Sequence, residues 1–325
     1  MIDFPQLGRF GPEDGLIPLA VCTDGRFQPG ADGVVSVMAT GDGKVEFIAF
    51  ADHTLAYVRS ALGYPAYYPV HSVALERPVR AVLMDLDGTS VRSERFWIWI
   101  IELTTAILLG DPHFELDKSD LPYVSGHSVS EHLEHCIRKY CPGRRVEEAR
   151  AAYFEHTGRE MRAILEGRGR ADAFMPAPGL KEFLLTLKGR RIKIALVTSG
   201  LYEKAYPEIV AAFRVMNLGD PTEFYDAIIT AGFPLRRGEV GTLGELSPKP
   251  HPWLYAEAAR VGLGIPFEAR NSVVGIEDSG AGVCAIRLAG FPTIGMAGGN
   301  IVESGTRALC DFFLETFDDV LRVVD

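Results

Sequence analysis

Two aspartates two residues apart, Asp85 and Asp87, follow the apolar run Ala81-Val82-Leu83-Met84 and precede Gly88-Thr89. A carboxylate at the end of a strand is placed to attack phosphorus and form an acyl phosphate. A second carboxylate just beyond it is placed to protonate the leaving oxygen and then to deprotonate an attacking water. Asp85 is therefore read as the nucleophile and Asp87 as the acid–base. Thr198-Ser199-Gly200 closes another apolar run, residues 192–197. It offers a hydroxyl and backbone N–H groups to phosphate oxygens, and a helix starting behind it would favour an anion. Lys249, in Ser247-Pro248-Lys249-Pro250-His251-Pro252, supplies a point positive charge. Glu277-Asp278-Ser279 follows a further apolar run, Ser272-Val273-Val274-Gly275-Ile276. Asp278 together with Asp85 would hold Mg²⁺, an ion that takes a few carboxylates plus waters and phosphate oxygen.

Each cluster has a bland reading, since an aspartate at a strand end is often only a turn residue. Their succession at the ends of consecutive strands points to one site. The elements that must position them alternate. Apolar runs at 81–84, 192–197, 227–229, 272–276 and 292–295 are separated by helical patterns such as 180–188 and 253–261. That rhythm predicts a parallel sheet covered on both faces, with ligands beyond the carboxyl ends of its strands. Residues 93–176 break the rhythm and read as helices at 94–109, 130–140 and 147–166, a helical cap inserted into an α/β core made of 79–92 and 177–325. Residues 1–78 read as a small α+β extension. Its parts are an irregular arm to residue 33, a hairpin of 34–39 and 45–50 around Gly41-Asp42-Gly43, a helix over 53–62 and a strand over 70–75.

Length and composition agree with two or three domains: 325 residues, 47% hydrophobic and 23% charged. A net charge of −10 argues against nucleic acid as the main partner. Five cysteines without a CxxC pair, and an N-terminus without a leader pattern, predict reduced thiols in a cytoplasmic protein. The apolar stretch from Phe96 to Leu109, interrupted by Glu102, falls short of the ~20 residues of a bilayer span and predicts a buried helix, not a membrane partner.

The four clusters, in order, resemble the motifs of the haloacid dehalogenase (HAD) superfamily: Asp85-Leu86-Asp87-Gly88-Thr89, Val197-Thr198-Ser199-Gly200, Lys249 in Lys-Pro-His-Pro, and Gly275-Ile276-Glu277-Asp278-Ser279-Gly280-Ala281-Gly282. The helical insert resembles the cap of the β-phosphoglucomutase and phosphoglycolate phosphatase branch. The resemblance covers about residues 79–325. It implies a Rossmann-like core, a cap that closes over substrate, and Mg²⁺ held by Asp85, the Asp87 carbonyl and Asp278, with Glu277 assisting. It also implies phosphate binding by Thr198, Ser199, Gly200 and Lys249. Asp87 separates the chain from the dehalogenases and favours a phosphatase or phosphomutase. Relatives often carry an acidic residue where this chain has Arg92, and the 226–249 interval is longer here. The added segment, with Phe233-Pro234-Leu235-Arg236-Arg237-Gly238, is either an entrance that binds a second anion or a solvated loop.

In the cap, Gly126-His127-Ser128 resembles the loop with which relatives read substrate; the alternative is a plain helix-start loop with Ser130 as N-cap. Val129 stands where mutases often carry an arginine. His127, His132, His135 and Cys136 lack a clean tetrahedral set for zinc. Phe96, Trp97 and Trp99 form cap core or face the substrate. The leading expectation is a Mg²⁺-dependent phosphatase of a small phosphorylated metabolite. A phosphomutase using the same aspartyl phosphate, and a weakly catalytic regulatory protein, are the alternatives. The extension is expected to be structural or to form an oligomer.

Overall fold

A computed structural model describes residues 1–59, 64–120, 129–170, 172–232 and 246–325, Ser130 and Glu131 by their backbone alone. By contact density the chain forms two compact units, one of Met1–Ser90, Ala177–Ala205 and Leu218–Asp325, the other of Val91–Pro176 and Tyr206–Asn217.

The first unit is built on a six-stranded parallel sheet. Across the sheet, the strands run Ala227–Gly232, Lys193–Leu201, Ala81–Asp85, Val273–Glu277, Thr293–Met296 and Phe312–Leu314. The central Ala81–Asp85 and Val273–Glu277 strands are buried at every position, which is why they read as continuous apolar runs and not as alternation. Helices Leu180–Gly189 and Gly280–Ala289 alternate with the strands. Trp253–Glu257 continues into a wider turn through Gly262. Ser279 caps the Gly280–Ala289 helix by accepting from the Gly282 N–H at 3.1 Å.

Residues 1–78 pack on this core within the same unit. Five antiparallel strands follow chain order: Ile17–Pro18, Ser36–Ala39, Val45–Ala49, Thr54–Val58 and Ala66–Pro69. The Thr40–Gly43 turn is closed by Gly43 N–H to Thr40 O at 2.8 Å, and Gly43 sits at φ 67°, a region open to glycine. One face of the sheet, with Met38, Val45 and Phe47, packs on Val283, Cys284 and Leu288 of the Gly280–Ala289 helix. Each such side chain, fully buried, stabilises by roughly 1.5–3 kcal/mol. The other face carries Val37, Ile48 and Tyr57, covered by Leu19, Cys22, Phe27 and Val34. Glu46 is buried there, held by Cys22 Sγ and the Thr23 N–H at 2.9 Å each. Burial, and then Glu46, push the Cys22 thiol up to about 12.

Two expectations for the extension fail. The segment expected as a helix over 53–62 holds the strand Thr54–Val58, because partners on both sides, Val45–Ala49 and Ala66–Pro69, satisfy its backbone; residues 60–63 lie outside the described residues. The strand expected at 70–75 lies earlier, at Ala66–Pro69. The arm before residue 33 also contributes short strands, Ile2–Phe4 paired with Gly8–Phe10, and Ile17–Pro18. In the core, the edge strand Phe312–Leu314 escaped the sequence reading, being only 3 residues long.

The second unit is helical: Glu94–Leu109, Val129–Tyr140 and Val146–Leu165, with the two-residue strands Val91–Arg92 and Met175–Pro176 paired antiparallel. Gly110, at φ 72°, ends the first helix, and Glu102, the charge inside its apolar run, accepts from the Leu116 N–H at 3.0 Å. Phe96 is buried against Phe174, whereas Trp99 is half-buried under the Arg170 guanidinium. His135 Nε2 meets Asp120 Oδ1 at 2.7 Å, and Lys139 Nζ meets the same oxygen at 2.6 Å. Among the described residues no helix is long and apolar enough to cross a membrane.

Candidate active site

Register across three neighbouring strands builds the site. Val197 pairs with Asp85, and Ile276 with Met84, so Thr198, Asp85 and Glu277-Asp278 reach one rim at the carboxyl ends. Lys249 arrives from the loop before the Trp253–Glu257 helix. Its Nζ donates to Asp85 Oδ1 at 2.5 Å, to Glu277 Oε1 at 2.6 Å and to the Val197 carbonyl at 3.2 Å. Oxygens of Asp85, Glu277 and Asp278 all lie within 4.8 Å of one another.

The electrostatics follow from burial. The Lys249, Asp85 and Glu277 side chains are 6%, 8% and 0% exposed. Burial alone would lower the lysine's pKa; Asp85 and Glu277 outweigh it and hold the ammonium above the ordinary range. Burial, then the Glu277 charge, raises Asp85 well above the usual carboxylate range despite Lys249. The same two causes push Asp278 up to about 7. When ionised, three carboxylates less one ammonium leave two negative charges to be balanced, so the donor set fits a divalent cation.

The carboxylates differ in what is left to offer. Glu277 accepts from Lys249 Nζ and the Tyr255 hydroxyl on Oε1, and from the Ser279 N–H and hydroxyl on Oε2. Asp278 accepts a long side-chain bond from Thr89 Oγ1, at 3.3 Å. The backbone closes tightly round it: a Cβ on Gly88 would stand 2.1 Å from Asp278 Oδ2, and one on Gly299 2.6 Å from it. A Cβ on Gly282 would stand 1.8 Å from the Glu277 carboxyl carbon. These glycines let main chain and carboxylates share the space.

The other expected residues fall as follows. Thr198 is buried at the rim, and its Oγ1 accepts from the Gly200 N–H at 3.0 Å. Ser199 is exposed, and its Oγ accepts from the Lys249 N–H at 3.1 Å, so the second and third clusters are joined directly. The strand runs on to Leu201, and the helix behind it starts at Tyr202. Asp87 is half-buried two residues past the end of the Ala81–Asp85 strand. Arg92 is exposed in the helical unit, paired with Met175. Gly126, His127 and Ser128, and residues 233–245 of the long interval, lie outside the described residues. Two participants were missed. Tyr255, fully buried, bonds Glu277 at 2.9 Å, but in sequence it is one more apolar residue of a helix; Thr89 stood inside the first cluster without a part assigned to it.

Residues 79–290 match the model of the haloacid dehalogenase-like hydrolases, more than half of the chain. No curated protein matches it. Among solved structures, CbbY from Rhodobacter sphaeroides in complex with phosphate is similar at 21% identity and a TM-score of 0.51, over 74% of this chain and 96% of its own. A predicted phosphoglycolate phosphatase from Haemophilus somnus is similar at 16% identity and a TM-score of 0.56, over 76% and 99%. A HAD family hydrolase from Deinococcus radiodurans with bound phosphate and sodium is similar at 23% identity and a TM-score of 0.51, over 77% and 96%. At these identities the likeness is one of fold.

Proposed function

This chain belongs to the haloacid dehalogenase-like hydrolases, and from that premise we propose that it is a Mg²⁺-dependent phosphatase of a small phosphorylated metabolite, working through an aspartyl phosphate on Asp85. The observation that carries this reading is the buried Lys249 ammonium clamped between Asp85 and Glu277, with Asp278 alongside.

An Asp85 oxygen attacks phosphorus while the bond to the leaving oxygen breaks, and Asp87 gives that oxygen its proton. Asp87 then takes a proton from water as the water attacks phosphorus, which frees inorganic phosphate and restores Asp85. Lys249 orients Asp85 and places positive charge where phosphate oxygens gather, with the Thr198-Ser199-Gly200 turn completing the cradle. Asp85, Asp278 and the Asp87 carbonyl would hold the metal. Glu277 assists from behind, because its oxygens are committed to Lys249, Tyr255 and Ser279. When bound, Mg²⁺ offsets the repulsion between an anionic nucleophile and an anionic phosphate. Five free cysteines fit a reducing compartment, so we assign the protein to the cytoplasm.

The test is a phosphate-release screen over phosphorylated metabolites with Mg²⁺ present. Wild type should release phosphate from at least one. Asp85→Asn should lose turnover by at least about a thousandfold, and EDTA should abolish it. Release that survives EDTA would refute the metal assignment. An isomeric product without released phosphate would show a phosphomutase instead.

A further inference from the structure

Lys249 is held by a short turn whose supports come from opposite directions. On one side its N–H donates to Ser199 Oγ at 3.1 Å. On the other, the His251 N–H closes the turn on the Pro248 carbonyl at 3.1 Å, and the His251 ring runs into the interior, 2% exposed. There Nδ1 meets the Tyr68 hydroxyl at 2.7 Å, while Nε2 has no partner among the described residues. Tyr68 therefore supplies the one hydrogen bond this buried imidazole has among them. It also packs edge-on against His251, with ring centroids at 5.8 Å, and against Trp253 at 5.9 Å.

Tyr68 lies in the last strand of the N-terminal sheet, opposite Ala56, outside the residues 79–290 that carry the family match. Strand alternation sends neighbours to opposite faces. Tyr68 joins the cluster on the core side, and Tyr67 the cluster on the outer side, where its hydroxyl bonds Asp24. A second tie joins the same sheet to the loop behind Asp278. The Gly41 N–H donates to the Ser304 carbonyl at 2.7 Å, and a few residues earlier Asn300 Oδ1 accepts from the Gly280 N–H at 2.9 Å. A Cβ on Gly15 would come within 2.7 Å of the Gly305 Cα, so the two segments lie in direct backbone contact.

We propose that Tyr68, on the core-facing side of the N-terminal sheet, is a positioning residue that holds His251 and, through the Pro248–Pro252 turn, sets Lys249 against Asp85 and Glu277. The proposal rests on the phosphatase reading for its kinetic consequence, though not for the mechanical coupling. Misplacing a group that acts in the reaction by about 1 Å can cost on the order of a hundredfold in rate.

Tyr68→Phe keeps the ring and its edge contacts and removes only the hydroxyl. Two readouts are taken, steady-state kinetics on a phosphomonoester substrate and amide hydrogen exchange resolved at Lys249 and His251. The expected result is a fall in kcat of about tenfold or more with KM within about twofold, and faster exchange at those two amides with the Val273–Glu277 strand unchanged. Tyr68→Phe combined with His251→Leu should lose no more than the worse single variant, since both break one linkage. His251→Asn, which keeps an acceptor near Nδ1, should recover much of what His251→Leu loses. Tyr67→Phe, on the opposite face, should leave kcat as it is. Unchanged exchange at Lys249 and His251 overturns the proposal. So does a lowered Tm with unaltered kcat, which a merely structural tyrosine would give. A wild type silent on every phosphomonoester would defeat the phosphatase reading instead, and the exchange experiment would still decide the coupling.

Discussion

Replacing Lys249 by methionine keeps an unbranched chain of similar volume and removes the charge. In the intact protein, Nζ lies 2.5 Å from Asp85 and 2.6 Å from Glu277, both nearly without solvent. Removing one partner of a buried ion pair leaves an uncompensated charge and costs about 3–5 kcal/mol, a fall in Tm of about 4–7 °C for 325 residues. The carboxyls have an escape, because they can take up protons. The folded-state pKa values of Asp85 and Asp278 are already raised by burial and by the neighbouring Glu277 charge, and loss of Lys249 raises them further. For an acid whose folded pKa lies above its unfolded one, the folded state binds more protons. Stability then falls as pH rises from the unfolded value near 4 through the folded value. The Tm deficit of Lys249→Met against wild type, measured in EDTA, should therefore be small at pH 5 and large at pH 8. Turnover with Mg²⁺ should fall by about 10²–10³-fold, the scale for losing one preorganised donor. The same deficit at both pH values, or none at either, would refute the view that this ammonium balances crowded carboxylates.

Two further substitutions test separate parts of the structure. Gly282→Ala sits in a helix, where alanine would ordinarily stabilise by about 1 kcal/mol. Here the new Cβ would meet the Glu277 carboxyl 1.8 Å away, so we expect a lower Tm and a kcat reduced about tenfold or more; a stabilised, fully active variant would contradict that. In the helical unit, Asp120 is held well below the ordinary carboxylate range: burial would raise it, but bonds from Lys139, Tyr140 and His135 prevail. Its contribution is present above about pH 4 and is lost as pH falls further. Asp120→Asn should cost about 2 kcal/mol at pH 7 and progressively less in acid, as read by thermal unfolding; equal losses at pH 7 and pH 3 would count against it.

Much of this site was open to reading from the chain alone, for a definite reason. Strands buried on both faces must be apolar throughout, so the polar residues that end them stand out, as at Asp85, Thr198 and Glu277-Asp278. The first helix of the insert, Glu94–Leu109, was marked at its end by Gly110. Where burial depends on a distant partner, the pattern misleads. Alternation along Val45–Ala49 would send Glu46 to solvent, yet the 22–24 segment folds back and buries it. Thr54–Val58 is a strand because two neighbours hold it in one. Tyr68 and His251 stand 183 positions apart, and nothing local to either announces the bond.

The arrangement of the amino-terminal sheet also bears on how the chain is born. Its strands leave the ribosome before the core, and Val283, Cys284 and Leu288, against which they pack, come more than 200 residues later. At roughly 5–20 residues per second, that delay is on the order of 10–40 seconds. Throughout it Phe47, Met38 and Val45 lack the part of their cover that Val283, Cys284 and Leu288 supply. Transiently exposed apolar surface of this kind favours aggregation, so the sheet is completed only when the Gly280–Ala289 helix arrives.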